Sequence, residues 1–283
     1  LLALMEEDEE KISRILVEEM GKSLPDARAE MKRAFENVEV ACGMPVLQQG
    51  DKLIGASFEM DGEVIRLPMG VFTMIAPFNF PAMVPFWFLP YAIATGNAFV
   101  VKASKQVPCT MNYITELIEK TGLPPGVFTL INGDKTVADA FMDHPLVQGV
   151  SLVGSTPTCR QVAQKCAAAG KRFQAMGGAK NHLVVMPDAR MADTVRNMVT
   201  SCFGCAGQRC MASSAIVCVG DDVYDTVTRE FVKAAKEVIT TNPLDPRVAD
   251  EGMVMGPVIS AKAKKFIEDM IDMETHPELI AIY

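Results

Sequence analysis

Residues Gly149-Val-Ser-Leu-Val-Gly-Ser-Thr156 read as a short apolar strand that runs into a glycine and then opens a helix. The same grammar recurs along most of the chain. Strand-like runs at 71–76, 98–102, 127–131, 149–153, 182–186 and 215–219 alternate with helical stretches near 110–121, 136–142, 158–169, 190–203 and 222–240. Alternation of this kind predicts an α/β fold, a largely parallel Rossmann-like sheet flanked by helices on both faces. Outside it, residues 4–20 read as an amphipathic helix with Ile12, Ile15, Leu16 and Met20 on one face, stopped by Gly21. A second helix over 25–42 carries Ala27, Met31, Phe35 and Val38 at helical spacing, with Pro25 in its first turn and Arg33 off the apolar stripe. From 57 to 71 the residues Phe58, Met60, Val64, Ile65 and Leu67, interrupted by the turn signal Asp61-Gly62, predict a hairpin.

Composition narrows the function. A chain of 283 residues with 49% apolar content can bury a large core. Its 27 basic against 35 acidic residues give a net charge of −8, which argues against nonspecific nucleic-acid binding through a basic surface. The eight cysteines, at 42, 109, 159, 166, 202, 205, 210 and 218, are scattered through the expected elements, a pattern of reducing surroundings and not of a disulfide scaffold. The most apolar stretch, 71–101, is interrupted by Pro77, Pro81, Pro85 and Pro90 and contains Asn79 and Asn97, so it is not read as a membrane span. The opening Leu1-Leu-Ala-Leu-Met-Glu-Glu-Asp-Glu-Glu10 is too acidic for a transit peptide and lacks a cationic leader; targeting information is expected to be absent or removed.

Cys210 lies in Phe203-Gly-Cys-Ala-Gly-Gln-Arg-Cys-Met-Ala212. A cysteine is a useful nucleophile only as thiolate, which forms beside positive charge, a base or a helix N-terminus, and Arg209 is adjacent. The alternative is a small buried hydrophobe. Cys202, Cys205 and Cys210 do not predict a metal site, because no second paired motif and only three histidines accompany them. In Ala76-Pro-Phe-Asn-Phe-Pro81, Asn79 is either an amide donor for negative charge developing on an aldehyde oxygen or a turn residue before Pro81. Lys102 ends an apolar strand, where ligands of open parallel sheets gather, and reads as a ribose or phosphate contact or as a solvated strand-end lysine. Gly154-Ser155-Thr156 is not a GxGxxG fingerprint; its amides either face a pyrophosphate or make a turn.

Taken in order, Phe-Asn-Phe-Pro, Gly-Asn-Ala-Phe-Val-Val-Lys, Gly-Ser-Thr, Met-Gly-Gly-Ala-Lys-Asn-His, Gly-Gln-Arg-Cys-Met-Ala, and Asn-Pro-Leu-Asp with Gly-Pro-Val-Ile resemble the aldehyde dehydrogenase superfamily over nearly the whole chain. The resemblance is greatest to its CoA-acylating branch, which acts on methylmalonate and malonate semialdehydes. Gly178-Ala-Lys-Asn-His182 replaces the Gly-Gly-Lys-Ser-Pro-Asn of hydrolytic relatives, and Ala175 or Met176 stands where those relatives carry the glutamate that activates water. Arg209 and Arg33 occupy the positions of two arginines that suit a substrate carboxylate.

The resemblance implies a dinucleotide-binding domain over 1–176 with a hairpin arm near 57–71, and the N-terminal part of a second, partial α/β catalytic domain over 177–283. It implies Cys210 and Asn79 as catalytic, Arg33 and Arg209 as substrate-binding, and Ala76, Phe78, Lys102, Lys105, Gly154, Ser155 and Thr156 as cofactor-binding. NAD is the implied cofactor and coenzyme A the co-substrate, with a small semialdehyde as substrate, no nucleic acid, membrane or metal, and a homo-oligomer when the full chain is present. Lys105 replaces a ribose-binding glutamate, which leaves room for NADP, and Cys159 replaces a second glycine. The chain resembles a fragment that starts within an early helix and stops before the segment gripping the nicotinamide ribose. The compartment implied is the mitochondrial matrix in a eukaryote and the cytosol in a bacterium. The competing expectations are a hydrolytic aldehyde dehydrogenase and an inactive truncated paralogue that binds nucleotide or a partner.

Overall fold

The computed structural model describes residues 1–247 and 254–271. They fall into two compact units, one of Leu1–Ile12 with Ala29–Gly177 and one of Ser13–Arg28 with the described residues from Gly178 onward. Residues 13–28, expected with the first domain, thus group with the second.

In chain order the strands are β1 (Lys52–Ser57), β2 (Met60–Glu63), β3 (Val71–Ile75), β4 (Ala98–Lys102), β5 (Phe128–Ile131), β6 (Val147–Val153), β7 (Arg172–Met176), β8 (Asn181–Val185), β9 (Ser213–Cys218), β10 (Ile239–Thr240) and β11 (Val254–Met255). The first unit is built on a parallel sheet of order β5-β4-β3-β6-β7. Met74, Phe99 and Val101 are fully or almost fully buried. Each such side chain contributes about 1.5–3 kcal/mol relative to exposure, which is why these runs read as continuous apolar strands. Ile75, Val150 and Leu152 pack with Phe141, Met142, Cys159, Val162 and Cys166, so helices Lys135–Asp143 and Thr156–Ala168 cover one face. Helix Leu89–Ala94 lies against β4. The prolines at 85 and 90 cut the 71–101 stretch into the short helices Met83–Phe86 and Leu89–Ala94, and no helix among the described residues is long and apolar enough to cross a membrane.

The sheet puts β3 at its centre. The chain steps outward through β4 and β5, then returns to lay β6 against the other side of β3. The strand order therefore reverses between β3 and β6, and the carboxyl ends of those strands are Ala76 and Gly154.

Three local readings need correction. The predicted helix over 4–20 is broken at Asp8 into Leu2–Glu7 and Glu9–Met20; the Asp8 carboxylate accepts the Tyr113 hydroxyl at 2.6 Å. Gly21 does end the second piece, with φ +87°. The hairpin spans 52–63, not 57–71: its turn is at Phe58-Glu59, with Glu59 at φ 53°, and Asp61-Gly62 lies inside β2. The Asp61 carboxylate accepts the Gly55 N–H at 2.8 Å across the hairpin, so its turn-forming capacity is spent on the facing strand. The helix expected over 222–240 ends at Ala235, and the β-branched run that follows makes β10 instead.

Helix Leu24–Cys42 follows its predicted stripe, with Ala27, Met31, Ala34, Phe35 and Val38 buried. In the second unit β8 and β9 pair in parallel, and Val185, Met198 and Val227 form a core shared with helices Met191–Phe203 and Asp221–Ala235. Stacking of Phe203 on Phe231, with ring centroids 5.8 Å apart, ties those helices together next to the cysteine-bearing loop.

Candidate active site

In the first unit the residues singled out from the sequence collect at the carboxyl ends of the strands. The buried Ala76 donates its N–H to the Lys102 carbonyl at 3.0 Å, joining the ends of β3 and β4. Lys102 is only 7% exposed, which excludes a solvated strand-end lysine. Its ammonium donates to the Ala103 carbonyl at 3.0 Å; burial pulls its pKa down, partly offset by Asp134. Lys105 is exposed. Asp134 caps helix Lys135–Asp143 by accepting the Thr136 N–H at 2.9 Å, and that bond, with the charge of Lys105 adding to it, holds its carboxyl below the usual range.

At the end of β6, the Gly154 N–H donates to the Met176 carbonyl at 3.0 Å. Ser155 is the extended N-cap of helix Thr156–Ala168, but its hydroxyl does not cap the helix; it lies 2.9 Å from the Thr158 hydroxyl. A Cβ on Gly177 would fall 3.2 Å from the Thr156 hydroxyl oxygen and 3.3 Å from its Cα, so glycine is what lets β7 end beside this turn. Cys159, expected from the resemblance to replace a glycine, is buried in the sheet core, and its thiol, pushed up by burial, faces the Gly154 carbonyl at 3.8 Å. It packs on the sheet.

Asn79 and Phe78 are half-buried on the segment leaving β3. The turn after them is held by a residue the sequence reading passed over. Glu30, 2% exposed, accepts the N–H groups of Ala82 and Met83 on one oxygen at 2.9 and 3.0 Å. The signal was present, since Glu30 stands between Ala27, Met31 and Ala34 on the buried stripe of its helix, where an acid requires a partner. Arg33 is elsewhere on that helix: it is exposed and donates to Glu36 at 2.7 Å.

In the second unit helix Met191–Phe203 runs into a tight turn in which Cys205, Ala206 and Gly207 are successively left-handed, at φ 51°, 53° and 72°. Two non-glycine residues in that region cost of order 1–3 kcal/mol each, strain that concentrates at functional loops. The loop is then pinned residue by residue. The Gln208 amide donates to the Cys205 carbonyl at 2.9 Å and accepts the Ile259 N–H at 2.9 Å. Arg209 donates to Asp26 at 2.5 Å and to the Cys205 sulfur at 3.4 Å. Asn181 donates to the carbonyls of Cys210 and Ala212 at 2.8 and 3.0 Å. Cys210 itself is half-buried. Burial pushes the Cys205 thiol up, against the pull of Lys22 and Arg209. Cys202 donates to the Ser213 carbonyl at 3.3 Å, and the described residues contain no cluster of three or more side chains able to hold a metal ion.

Of the sequence-predicted residues, Arg33, Ala76, Phe78, Asn79, Lys102, Lys105, Gly154, Ser155 and Thr156 belong to the first unit, and Arg209 and Cys210 to the second. Arg209, expected to face a substrate carboxylate, is bonded to Asp26 within its own unit. Ala175 is half-buried against the sheet core and Met176 is exposed at the end of β7, so neither place holds a carboxylate.

The aldehyde dehydrogenase family matches residues 1–278. Malonate-semialdehyde dehydrogenase 1 of Geobacillus kaustophilus is 43% identical over 245 residues, covering 87% of this chain and 50% of its own length. Among solved structures, the methylmalonate-semialdehyde dehydrogenase of Oceanimonas doudoroffii superposes with a TM-score of 0.92 at 39% identity, over 98% of this chain and 56% of that one. A Sinorhizobium meliloti protein complexed with NAD superposes with a TM-score of 0.93 at 36% identity, over 98% and 55%. The chain spans about half the length of the curated relatives it matches.

Proposed function

Because the chain belongs to the aldehyde dehydrogenase family, we propose that it serves the CoA-acylating oxidation of malonate and methylmalonate semialdehydes, giving acetyl-CoA and propionyl-CoA with loss of CO2. The observation that carries this reading is a half-buried cysteine on a pinned, strained loop; in the first unit, Ala175-Met176 offers no base. The Cys210 thiolate attacks the aldehyde carbon, and the Asn79 amide with the Cys210 N–H stabilises the oxyanion. A bound NAD or NADP would supply the hydride acceptor for oxidation of this adduct to a thioester, with Ala76, Lys102 and the Gly154-Ser155-Thr156 turn as the residues that would hold it. The β-carboxylate of the thioacyl group leaves as CO2, its bonding electrons pass to the thioester enolate, and that enolate takes a proton from solvent. Without a positioned base for water, the CoA thiol, losing its proton to solvent, takes the acyl group and Cys210 leaves as thiolate. Arg209 and Arg33 orient the substrate carboxylate.

The residues at the β3 and β6 ends suit a dinucleotide. Open α/β sheets bind ligands outside the carboxyl ends where strand order reverses; Ala76 and the Gly154-Ser155-Thr156 turn follow the two strands at that reversal and Lys102 ends the neighbouring strand, which supports this reading. We read the first unit as the dinucleotide-binding part and the second as part of the catalytic domain. The hairpin exposes Leu53, Ile54, Phe58 and Met60, which supports a homo-oligomer assembled through this arm. The matched relatives are bacterial, which favours the cytosolic reading of the compartment.

Product analysis tests the proposal. Malonate semialdehyde with CoA and NAD or NADP is expected to yield acetyl-CoA, and a Cys210→Ser variant none. Free acid formed without CoA as the main product would mean a hydrolytic enzyme. Absence of turnover together with retained nucleotide binding would mean an inactive paralogue.

A further inference from the structure

Asn181 is the first residue of β8, in the Gly178-Ala-Lys-Asn-His182 run that sets this chain apart from hydrolytic relatives. Its side-chain amide reaches across 29 residues of sequence to the Cys210 carbonyl and across 31 to that of Ala212, so both of its N–H groups are spent on the carbonyls flanking Met211. The backbone of Asn181 is itself bracketed. Its N–H donates to the Ser214 hydroxyl at 3.0 Å, and that hydroxyl faces the Asn181 carbonyl at 3.4 Å. Ser213, between them, is fastened by its N–H to the Ser201 hydroxyl at 3.0 Å.

We propose that Asn181 is a positioning residue for the nucleophile, a clamp that fixes the peptide after Cys210 and so the direction in which the thiol is presented; the inference rests on Cys210 being the reacting group. The approach to Cys210 is already rigid, through the left-handed turn at 205–207 and the side-chain bonds of Gln208 and Arg209. Rotation about the Cys210 Cα–C bond is one of the freedoms these bonds leave, and the position of the Cys210 carbonyl reports it directly. A hydrogen bond to it therefore selects one setting of the Cys210 backbone, and the bond to Ala212 prevents the amide from swinging away. The chemistry demands a double donor of this length. A carboxylate has no N–H to give and would repel two carbonyl oxygens, while a serine is too short to reach both.

The test compares Asn181→Asp and Asn181→Ser with the wild-type full chain, the second variant being the one to use if the first does not fold. Three quantities are read: kcat and KM for malonate semialdehyde per active site titrated by the NADH burst, the thermal midpoint, and the rate of Cys210 alkylation by iodoacetamide relative to the exposed Cys42 in the same digest. The clamp predicts a kcat per site at least tenfold lower with KM within twofold, and a Cys210-to-Cys42 alkylation ratio at least fivefold lower. A kcat per site and an alkylation ratio both within twofold of wild type overturn the proposal, however far the thermal midpoint falls, because Asn181 would then only be structural. Wild-type protein without semialdehyde turnover overturns the proposed function instead, and the alkylation ratio alone then decides for or against the clamp.

Discussion

Arg209 donates from Nη2 to the Asp26 carboxylate at 2.5 Å, with both side chains 22% exposed, and the pair joins residues 183 apart in sequence. The same guanidinium donates from Nε to the Cys205 sulfur, and Gly204 lies beneath it. An arginine next to the nucleophile is thus already charge-paired, with its Nη1 group left over as the part able to meet a second carboxylate.

Removing one partner of a largely buried, charge-assisted bond should cost about 1.5–3 kcal/mol. Asp26→Ala and Arg209→Ala are each expected to lose that much in urea denaturation, and the double variant no more than either alone. Additive losses would show that the two side chains stabilise the unit independently.

Gly204 makes a sharper test of the same arrangement. A Cβ there would sit 2.5 Å from the Arg209 Cζ, a distance no relaxed contact reaches, and the Cys205–Gly207 turn leaves the backbone little room to yield. Gly204→Ala is expected to displace the guanidinium, lower stability by about 1–3 kcal/mol and raise KM for semialdehyde more than KM for propanal. Equal changes in the two KM values would show that Arg209 does not discriminate substrates by charge.

The parallel sheet was legible because its inner strands are apolar on both faces, as in β4 with Phe99 and Val101 buried. β7 was not, because Arg172-Phe-Gln-Ala-Met176 is an exposed edge strand that mixes polar and apolar residues instead of forming an apolar run. The site divides in the same way. Cys210, Asn79 and the turn at Gly154 announce themselves through local motifs, whereas Asp26, Glu30 and Asn181 act on residues 29 or more positions away. Only Glu30 carried a local sign, an acid on an apolar stripe.

Burial pushes up the thiols of Cys159, Cys166, Cys202, Cys205 and Cys218, so at pH 8 these five should stay protonated and slow to react. Cys42 and Cys109 are exposed and Cys210 is half-buried. Peptide mapping after brief iodoacetamide treatment should find label on Cys42, Cys109 and Cys210 first, with saturating substrate protecting Cys210 alone. Early labelling of Cys205 would contradict the burial argument.

Lys105 is exposed and lies close enough to influence Asp134, and on the proposed reading it puts a positive group beside the ribose of the dinucleotide. Lys105→Glu is expected to lower kcat/KM with NADP at least tenfold, about 1.4 kcal/mol, while NAD is affected less. Unchanged discrimination between the two dinucleotides would remove Lys105 from the cofactor site.

Asp245, in the Asn-Pro-Leu-Asp run, accepts from the Arg247 guanidinium on both oxygens, Nε lying 3.0 Å from Oδ1 and 3.2 Å from Oδ2 and Nη2 2.5 Å from Oδ2, while Oδ1 also accepts the Arg247 N–H at 3.0 Å; the side-chain bonds are the main cause of a pKa lowered to about 2. A depressed carboxyl pKa means that the unfolded chain binds the proton first. The stabilising contribution is therefore complete above the ordinary value of 3.8 and is lost as pH falls through about 2. In a carboxyl carbon NMR titration Asp245 should titrate near that lower value, and Arg247→Ala should move the midpoint back toward the ordinary carboxylate range, the remaining depression coming from the backbone N–H. A midpoint indifferent to Arg247 would assign the whole effect to the turn itself and leave the guanidinium without a part in holding this segment.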